Sequence, residues 1–240
     1  MKLDGDWRRD GMVVARDLFT AAELAGIEDE VAKLLTGTSG LPAEELVYEP
    51  DTNPPRLRNA FRLHLYSSFF HDLARRPSLT GVMRELLGSP LRLYSSQMFL
   101  KPGHVGTEVP WHQDMPYWPF APAEMATAWI ALDDTTIENG CVRFLKGSHT
   151  LGELPHEPSG VTGNSLRLAA SAVPADCAEE AVQVAKGSVV IHHCLTVHRS
   201  DPNRSVHDRR GLLFIYMSPG VRVTDASRLK GGANFPVVDG

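Results

Sequence analysis

Leu24, Ile27, Val31, Leu34 and Leu35 recur at the three-to-four-residue spacing of a helix that buries one face. Ahead of them, Thr20-Ala21-Ala22-Glu23 has the form of a capping box, in which a hydroxyl and a carboxylate each satisfy a backbone N–H left open at a helix start. Gly37 supplies a stop, so the pattern predicts a helix over 21–35. Residues 38–60 hold Gly40, Pro42, Pro50, Pro54 and Pro55, and are expected to form a long irregular loop of the kind used as a lid or binding wall. Two shorter helices are expected near 67–75 and 78–87, the second opened by Ser78 and closed by Gly88.

From Leu91 onward the texture is that of strands. β-rich runs at 91–100, 126–133, 141–145, 182–185, 188–193 and 209–217 are separated by Gly, Pro and Asn turns. Asn139-Gly140, between two such runs, reads as a hairpin turn. Many short strands with no helices between them imply a barrel or jelly roll, not a doubly wound parallel sheet. With no internal repeat or linker, the expected organisation is one domain over 1–240. It comprises a helical part at 1–90, a β core at 91–220 and a tail at 221–240.

Composition narrows the function classes. A chain of 240 residues, 42% hydrophobic and 22% charged, is ordinary for a folded soluble protein and can bury one core. No apolar run reaches the length of a membrane span. A net charge of −5 offers no field for a nucleic-acid backbone. Cys141, Cys177 and Cys194 are odd in number and widely spaced, which suits a reducing compartment and neither a disulfide framework nor a zinc knuckle. The N-terminus lacks a signal-peptide pattern and the C-terminus a targeting signal, so a cytoplasmic location is expected, with no membrane or nucleic-acid partner. The oligomeric state is left open.

The candidate chemistry begins at Trp111-His112-Gln113-Asp114. In a strand, residues i and i+2 share a face, so His112 and Asp114 can hold one ion between them. Chance supplies such pairs in a chain with ten histidines, and a lone pair is usually decorative. His198, just past the run ending at His193, supplies a third ligand. Two histidines and one carboxylate make the facial arrangement of non-haem Fe(II) oxygenases, in which three positions stay open. A zinc site for hydrolysis or isomerisation, or a non-catalytic metal-binding barrel, is the alternative. Arg209 heads the strand-like run to Tyr216. A buried guanidinium there is costly unless it meets an anion, which a dicarboxylate would provide.

Taken together, residues 91–220 resemble the phytanoyl-CoA dioxygenase family of Fe(II)- and 2-oxoglutarate-dependent oxygenases. The matching stretches run in order from Lys101-Pro102 through 111–119, Ala128–Leu132 and Asn139-Gly140-Cys141. They continue with Lys146–His149, Lys186-Gly187-Ser188 and His198-Arg199-Ser200, ending at Arg209. The resemblance implies a double-stranded β-helix, a cupin-like jelly roll, with N-terminal helices packed outside it. It implies His112, Asp114 and His198 as iron ligands, and its spacing favours His198 over the nearby His192 and His193. Arg209 with Ser200 would hold the distal carboxylate of 2-oxoglutarate, and Trp129, Gln97 and Arg62 would line its pocket. Fe(II), 2-oxoglutarate and O2 are the implied cofactor and cosubstrates. The implied reaction is oxidation of an unactivated C–H bond of a small molecule, with release of succinate and CO2. Related halogenases carry a small residue in place of the carboxylate, so Asp114 points to hydroxylation or a related oxidation. Selectivity is expected from the 38–60 loop, the 150–170 segment and the tail after Gly220. Trp118, Tyr48, Arg56, Arg58 and Arg167 are the candidate substrate contacts.

Overall fold

The structure, a computed structural model, describes residues 3–239. The chain opens with β1 (Leu3–Asp4), α1 (Trp7–Asp10) and β2 (Met12–Ala15), followed by α2 (Ala21–Leu35). The capping box at the start of α2 is formed: Glu23 N donates to Thr20 Oγ1, and Thr20 N donates to the Glu23 carboxylate.

Residues 38–60 are not the irregular loop their prolines suggest. They contain a 3-10 turn at Ala43–Glu45 and a hairpin of β3 (Leu46–Tyr48) and β4 (Leu57–Phe61), with Pro50, Pro54 and Pro55 confined to the connecting turn. Proline is tolerated there because the turn requires no ladder hydrogen bond from it. Three helices follow: α3 (Leu63–Tyr66), α4 (Ser68–Leu73) and α5 (Pro77–Leu87). Ser78 does not open α5. Arg76 is its N-cap, Pro77 takes the first helical position and the Ser78 hydroxyl has no partner among the described residues, whereas Gly88 ends the helix at φ 84° as expected.

The β core comprises β5 (Arg92–Lys101), β6 (Val109–His112), β7 (Phe120–Ala121), β8 (Met125–Ala131) and β9 (Val142–Leu145). It continues with β10 (His156–Val161), β11 (Asn164–Leu168), β12 (Glu179–Ala181), β13 (Val189–His193), β14 (His198–Ser200), β15 (Arg209–Met217) and β16 (Arg222–Val223). An eight-stranded sheet of order β1-β2-β13-β8-β15-β5-β4-β3 packs across a four-stranded sheet of order β12-β9-β14-β6, giving the double-stranded β-helix. Two expectations need correcting. Asn139-Gly140 is not a hairpin turn, because β8 and β9 lie in different sheets; Asn139 instead braces the crossing with side-chain bonds to Thr136 N and Asp134 O. The strand expected at 182–185 lies earlier, at 179–181, and Val182 and Val184 fill the space between the sheets.

Strand alternation sorts the core into two layers. Ala128, Ile130, Val189, Ile191, Leu212, Phe214 and Tyr216 face outward, where Ile27, Val31 and Leu34 of α2 and Leu79, Val82 and Met83 of α5 cover them. Trp129, Ala131, Val14 and Val190 face inward toward Phe144, Val182 and Val184. Arg210 belongs to the outer set and ties β15 to α2 through Glu28, with Asp133 as its second partner. Its neighbour Arg209 therefore points into the space between the sheets. No helix of the described residues is long and apolar enough to cross a membrane.

Candidate active site

The two sheets enclose a cavity of about 490 Å3, lined by residues between Glu44 and Lys230. His112 and His198 meet there because β6 and β14 pair antiparallel with these two residues directly opposite, leaving their ring centroids 4.2 Å apart. Asp114 arrives by a different route from the strand alternation expected of it. It lies past the end of β6, in a turn fixed by Asp114 N and Met115 N, which both donate to Cys194 O at 3.0 Å. Gln113, fully buried, secures this turn. Its Nε2 donates to Gly152 O and Leu195 O at 2.8 Å, its Oε1 accepts from Leu154 N, and its backbone N–H donates to His156 Nε2.

The ligand atoms of His112, Asp114 and His198 lie within 4.8 Å of one another, and among the described residues they are the group so arranged. Asp114 Oδ1 is 3.8 Å from His112 Nε2 and 3.7 Å from His198 Nε2. Both imidazoles are held in one tautomer: Nδ1–H of His112 donates to Pro110 O (2.8 Å), and Nδ1–H of His198 donates to Thr196 O (2.9 Å). That leaves each Nε2 with its lone pair aimed at the carboxylate oxygen, as metal ligation needs. Burial lowers the pKa of both rings, furthest for His198, so both stay neutral. Burial opposes the charge on Asp114, but the surrounding imidazoles and the hydrogen bond from His192 hold its carboxyl below the usual range.

His192 is not one of the three. It sits on β13 opposite Thr127 of β8, and both approach the outer oxygen of Asp114: Thr127 Oγ1 donates to Oδ2 at 2.9 Å and His192 Nε2–H at 3.1 Å. Thr127 did not stand out in the sequence; His192 did, but as a rival of His198 for the metal, and it alternates with Val190 onto the inward face of β13.

Arg209 is 2% exposed, and among the described residues it forms no ion pair or hydrogen bond. Its guanidinium lies 4.9 Å above the Trp129 ring, and burial pushes its pKa down to about 10. Across the ladder stands Lys101, also buried, whose Nζ donates to Thr107 O (2.5 Å) and Ser200 O (3.4 Å). Burial pulls the Lys101 ammonium well below the usual lysine range, so the charge at the cavity's inner end is that of Arg209, which no acid among the described residues pairs, and leaving such a charge uncompensated costs several kcal/mol. Ser200, Trp129, Gln97, Arg62 and Trp118 line the same cavity. Arg62 is turned onto Glu45, with Nε and Nη2 donating to Oε1 at 2.9 and 2.5 Å.

Three candidate substrate contacts stand outside the cavity. Tyr48 is 45% exposed, Arg56 pairs with Asp208 (3.1 Å), and Arg167 pairs with Glu157 (2.9 Å) across the β10–β11 hairpin. All three are on faces turned away by strand alternation or drawn to local carboxylates. Arg58 does line the cavity, but Glu49 holds it in a buried pair at 2.9 Å. Val47, Asn164, Arg228 and Lys230 bring the 38–60, 150–170 and tail segments into the wall.

A double-stranded β-helix that gathers two histidines and a carboxylate beside a buried, anion-seeking arginine defines an Fe(II)- and 2-oxoglutarate-dependent oxygenase. The chain belongs to the phytanoyl-CoA dioxygenase (PhyH) family, whose model matches residues 7–211. It is 29% identical over 237 residues to the probable alpha-ketoglutarate-dependent hypophosphite dioxygenase of Stutzerimonas stutzeri, covering 94% of this chain and 79% of that protein. It is also 29% identical over 230 residues to the ectoine dioxygenase of Bordetella bronchiseptica, covering 88% of this chain and 73% of that one. Among solved structures, the epimerase SnoN in complex with Fe3+, alpha-ketoglutarate and nogalamycin RO superposes with a TM-score of 0.77 at 26% identity. That match covers 95% of this chain and 89% of SnoN.

Proposed function

We propose that His112, Asp114 and His198 hold the Fe(II), that Arg209 with Ser200 binds the distal carboxylate of 2-oxoglutarate, and that the remaining cavity receives a small-molecule substrate. The observation that carries this reading is the unpaired, buried Arg209 in the same cavity as the three-residue donor set. A zinc hydrolase would leave that cation without purpose. Bound iron and 2-oxoglutarate supply the O2-dependent oxidation of a C–H bond, with release of succinate and CO2.

The chain's own residues prepare that reaction. Pro110 O and Thr196 O fix the two imidazoles so that each presents Nε2 inward. Thr127 and His192 engage Asp114 Oδ2 and thereby leave Oδ1 toward the histidines. Trp129 lies beneath the Arg209 guanidinium, and Gln97 and Trp118 line the walls. Residues of the helical part, the β core and the tail line one cavity, which supports reading them as a single domain. The substrates named for relatives, hypophosphite and ectoine, are small molecules, and a small molecule fits the size of this cavity.

Anaerobic addition of Fe(II) and 2-oxoglutarate is expected to give a weak metal-to-ligand charge-transfer band. The band should vanish in Asp114→Ala, and Arg209→Ala should require far more 2-oxoglutarate to produce it. Tight zinc binding with no band in the wild-type protein would overturn the assignment.

A further inference from the structure

The chain from Val221 to Asp239 is a strap anchored at both ends. At its start, β16 pairs with β7 and Thr224 N donates to Pro119 O at 2.8 Å. At its end, Leu93 N donates to Pro236 O (3.0 Å) and Val238 N to Leu91 O (3.1 Å). The Asp239 carboxylate accepts from Leu91 N and Ser89 Oγ. Between the anchors, Leu229 and Phe235 pack against the cluster containing Trp118 and Phe120, so the strap crosses the cavity mouth.

Two residues of that crossing, Arg228 and Lys230, line the cavity and are exposed. Arg228 Nη2 donates to Pro116 O at 3.0 Å, which fixes its guanidinium over the turn that carries Asp114. The closest acid in sequence, Asp225, is engaged by Ser227 N (3.0 Å) and Ser227 Oγ (2.6 Å). Lys230 forms no ion pair or hydrogen bond among the described residues. Arg62 reaches the same corner, since a Cβ on Gly231 would lie 2.8 Å from its Cδ, but Glu45 already neutralises it. Tyr94, edge-on to Trp118 at 5.6 Å, lines this wall with a hydroxyl that bonds to no described residue. Glu44 is the other acid besides Asp114 along the cavity wall.

We propose that this mouth recognises an oxyanion: the substrate is a small organic acid whose carboxylate, or an equivalent phosphonate, is held by Arg228 and Lys230 with Tyr94 as a further donor. Its apolar body lies along Tyr94 and Trp118 toward Asp114. The two cations discriminate by charge, because an ammonium group placed there meets like charges. The inference rests on the oxygenase reading, and the overall change is R–H + 2-oxoglutarate + O2 → R–OH + succinate + CO2. One oxygen atom enters the alcohol and the other succinate; the C–H bond and the keto acid each give up two electrons to O2.

The test uses the full chain loaded anaerobically with Fe(II) and 2-oxoglutarate, whose charge-transfer band reports substrate entry. The probes are a matched series of aliphatic and aromatic carboxylates and phosphonates, with their neutral amides and amine analogues. Acids are expected to perturb the band while the amides and amines do not. The Arg228→Ala/Lys230→Ala variant should raise the midpoint for a responding acid by about tenfold or more per cation, with band formation by 2-oxoglutarate unchanged. Both side chains are exposed, so folding is not at stake. A response from amides equal to that of the acids, no response from any acid, or an unshifted midpoint in the double variant overturns the proposal. Absence of the band before any probe is added counts instead against the oxygenase reading.

Discussion

The indole of Trp129 lies against the Cα of Gly211: a Cβ at position 211 would fall inside van der Waals contact of Trp129 Cε2, Nε1 and Cζ2. Gly211 stands two residues after Arg209 on the same face of β15, and the guanidinium rests 4.9 Å above the same indole. The missing side chain is therefore what lets the aromatic floor under Arg209 lie flat. Gly211→Ala is expected to overpack this site, costing about 1–3 kcal/mol of stability. It should also weaken 2-oxoglutarate binding by about tenfold, as the arginine loses its stacking partner. Thermal unfolding and isothermal titration of the variant check both effects, and a variant that matches wild type in both would refute this role for the glycine.

Asp114 has two oxygens with different tasks. Oδ2 accepts from Thr127 and His192, while Oδ1 faces His112 and His198. Removing one donor frees the carboxylate to rotate. His192→Phe and Thr127→Val are each expected to lower Fe(II) affinity by about 10-fold to 100-fold. Competition with a chromogenic chelator under anaerobic conditions measures this. Unchanged metal affinity in both variants would show that the turn alone orients Asp114.

Legibility in the sequence followed range. The cap of α2 and the strand 209–217 are local, depending on Thr20, Glu23 and simple alternation, and both lie where the pattern places them. The hairpin at 46–61 was hidden because its turn holds the prolines, and its strands acquire meaning only by pairing with β5. His112, Asp114, His198 and Arg209 were visible as motif residues, yet what brings them together is long-range: one inter-strand register and one turn clasped by Cys194 O. Tyr48, Arg56 and Arg167 stand outside the cavity, one exposed and two drawn to Asp208 and Glu157, and a charged or aromatic residue carries no mark in the sequence of which partner it will meet. Arg228 and Lys230 gave no signal at all, since their place depends on where a distant strap crosses the barrel.

Gln113, between His112 and Asp114, does not line the cavity and still shapes it. Its side chain makes three hydrogen bonds, to Gly152 O, Leu195 O and Leu154 N, that join the turn to two other segments. In Gln113→Ala these buried backbone groups lose their partners, at about 1–3 kcal/mol for each left unsatisfied. We expect a lower urea midpoint and weaker metal binding together. Gln113→Glu should keep the Leu154 N bond but, while ionised, set a buried carboxylate against the Gly152 and Leu195 carbonyl oxygens, so a midpoint no higher than that of the alanine variant is expected. Equal stability of wild type and the alanine variant would mean that water replaces the side chain.

His64 provides a pH dependence with a defined sign. Burial lowers its pKa to about 4, aided by the nearby charges of His71 and Arg62, and its Nδ1 lies 2.9 Å from Ser96 Oγ. His193 is lowered to about 4 as well, first by burial and then by His149 and His192. A histidine with a lowered folded pKa binds protons more readily once unfolded, so the protein is most stable above about pH 6.5 and loses stability as pH falls toward 4. For His64 alone the loss between pH 7 and pH 5 amounts to about 2 kcal/mol. The depressed carboxylates act in a lower window: Asp10, drawn down to about 2 by Arg9, stabilises above its unfolded pKa and gives way only as pH falls below about 4. Urea unfolding of the metal-free protein at pH 7 and pH 5 should therefore show a drop that shrinks by about that amount in His64→Gln. A drop of the same size in wild type and variant would place the acid sensitivity elsewhere, with the buried rings of His193, His112 and His198 next to be tested.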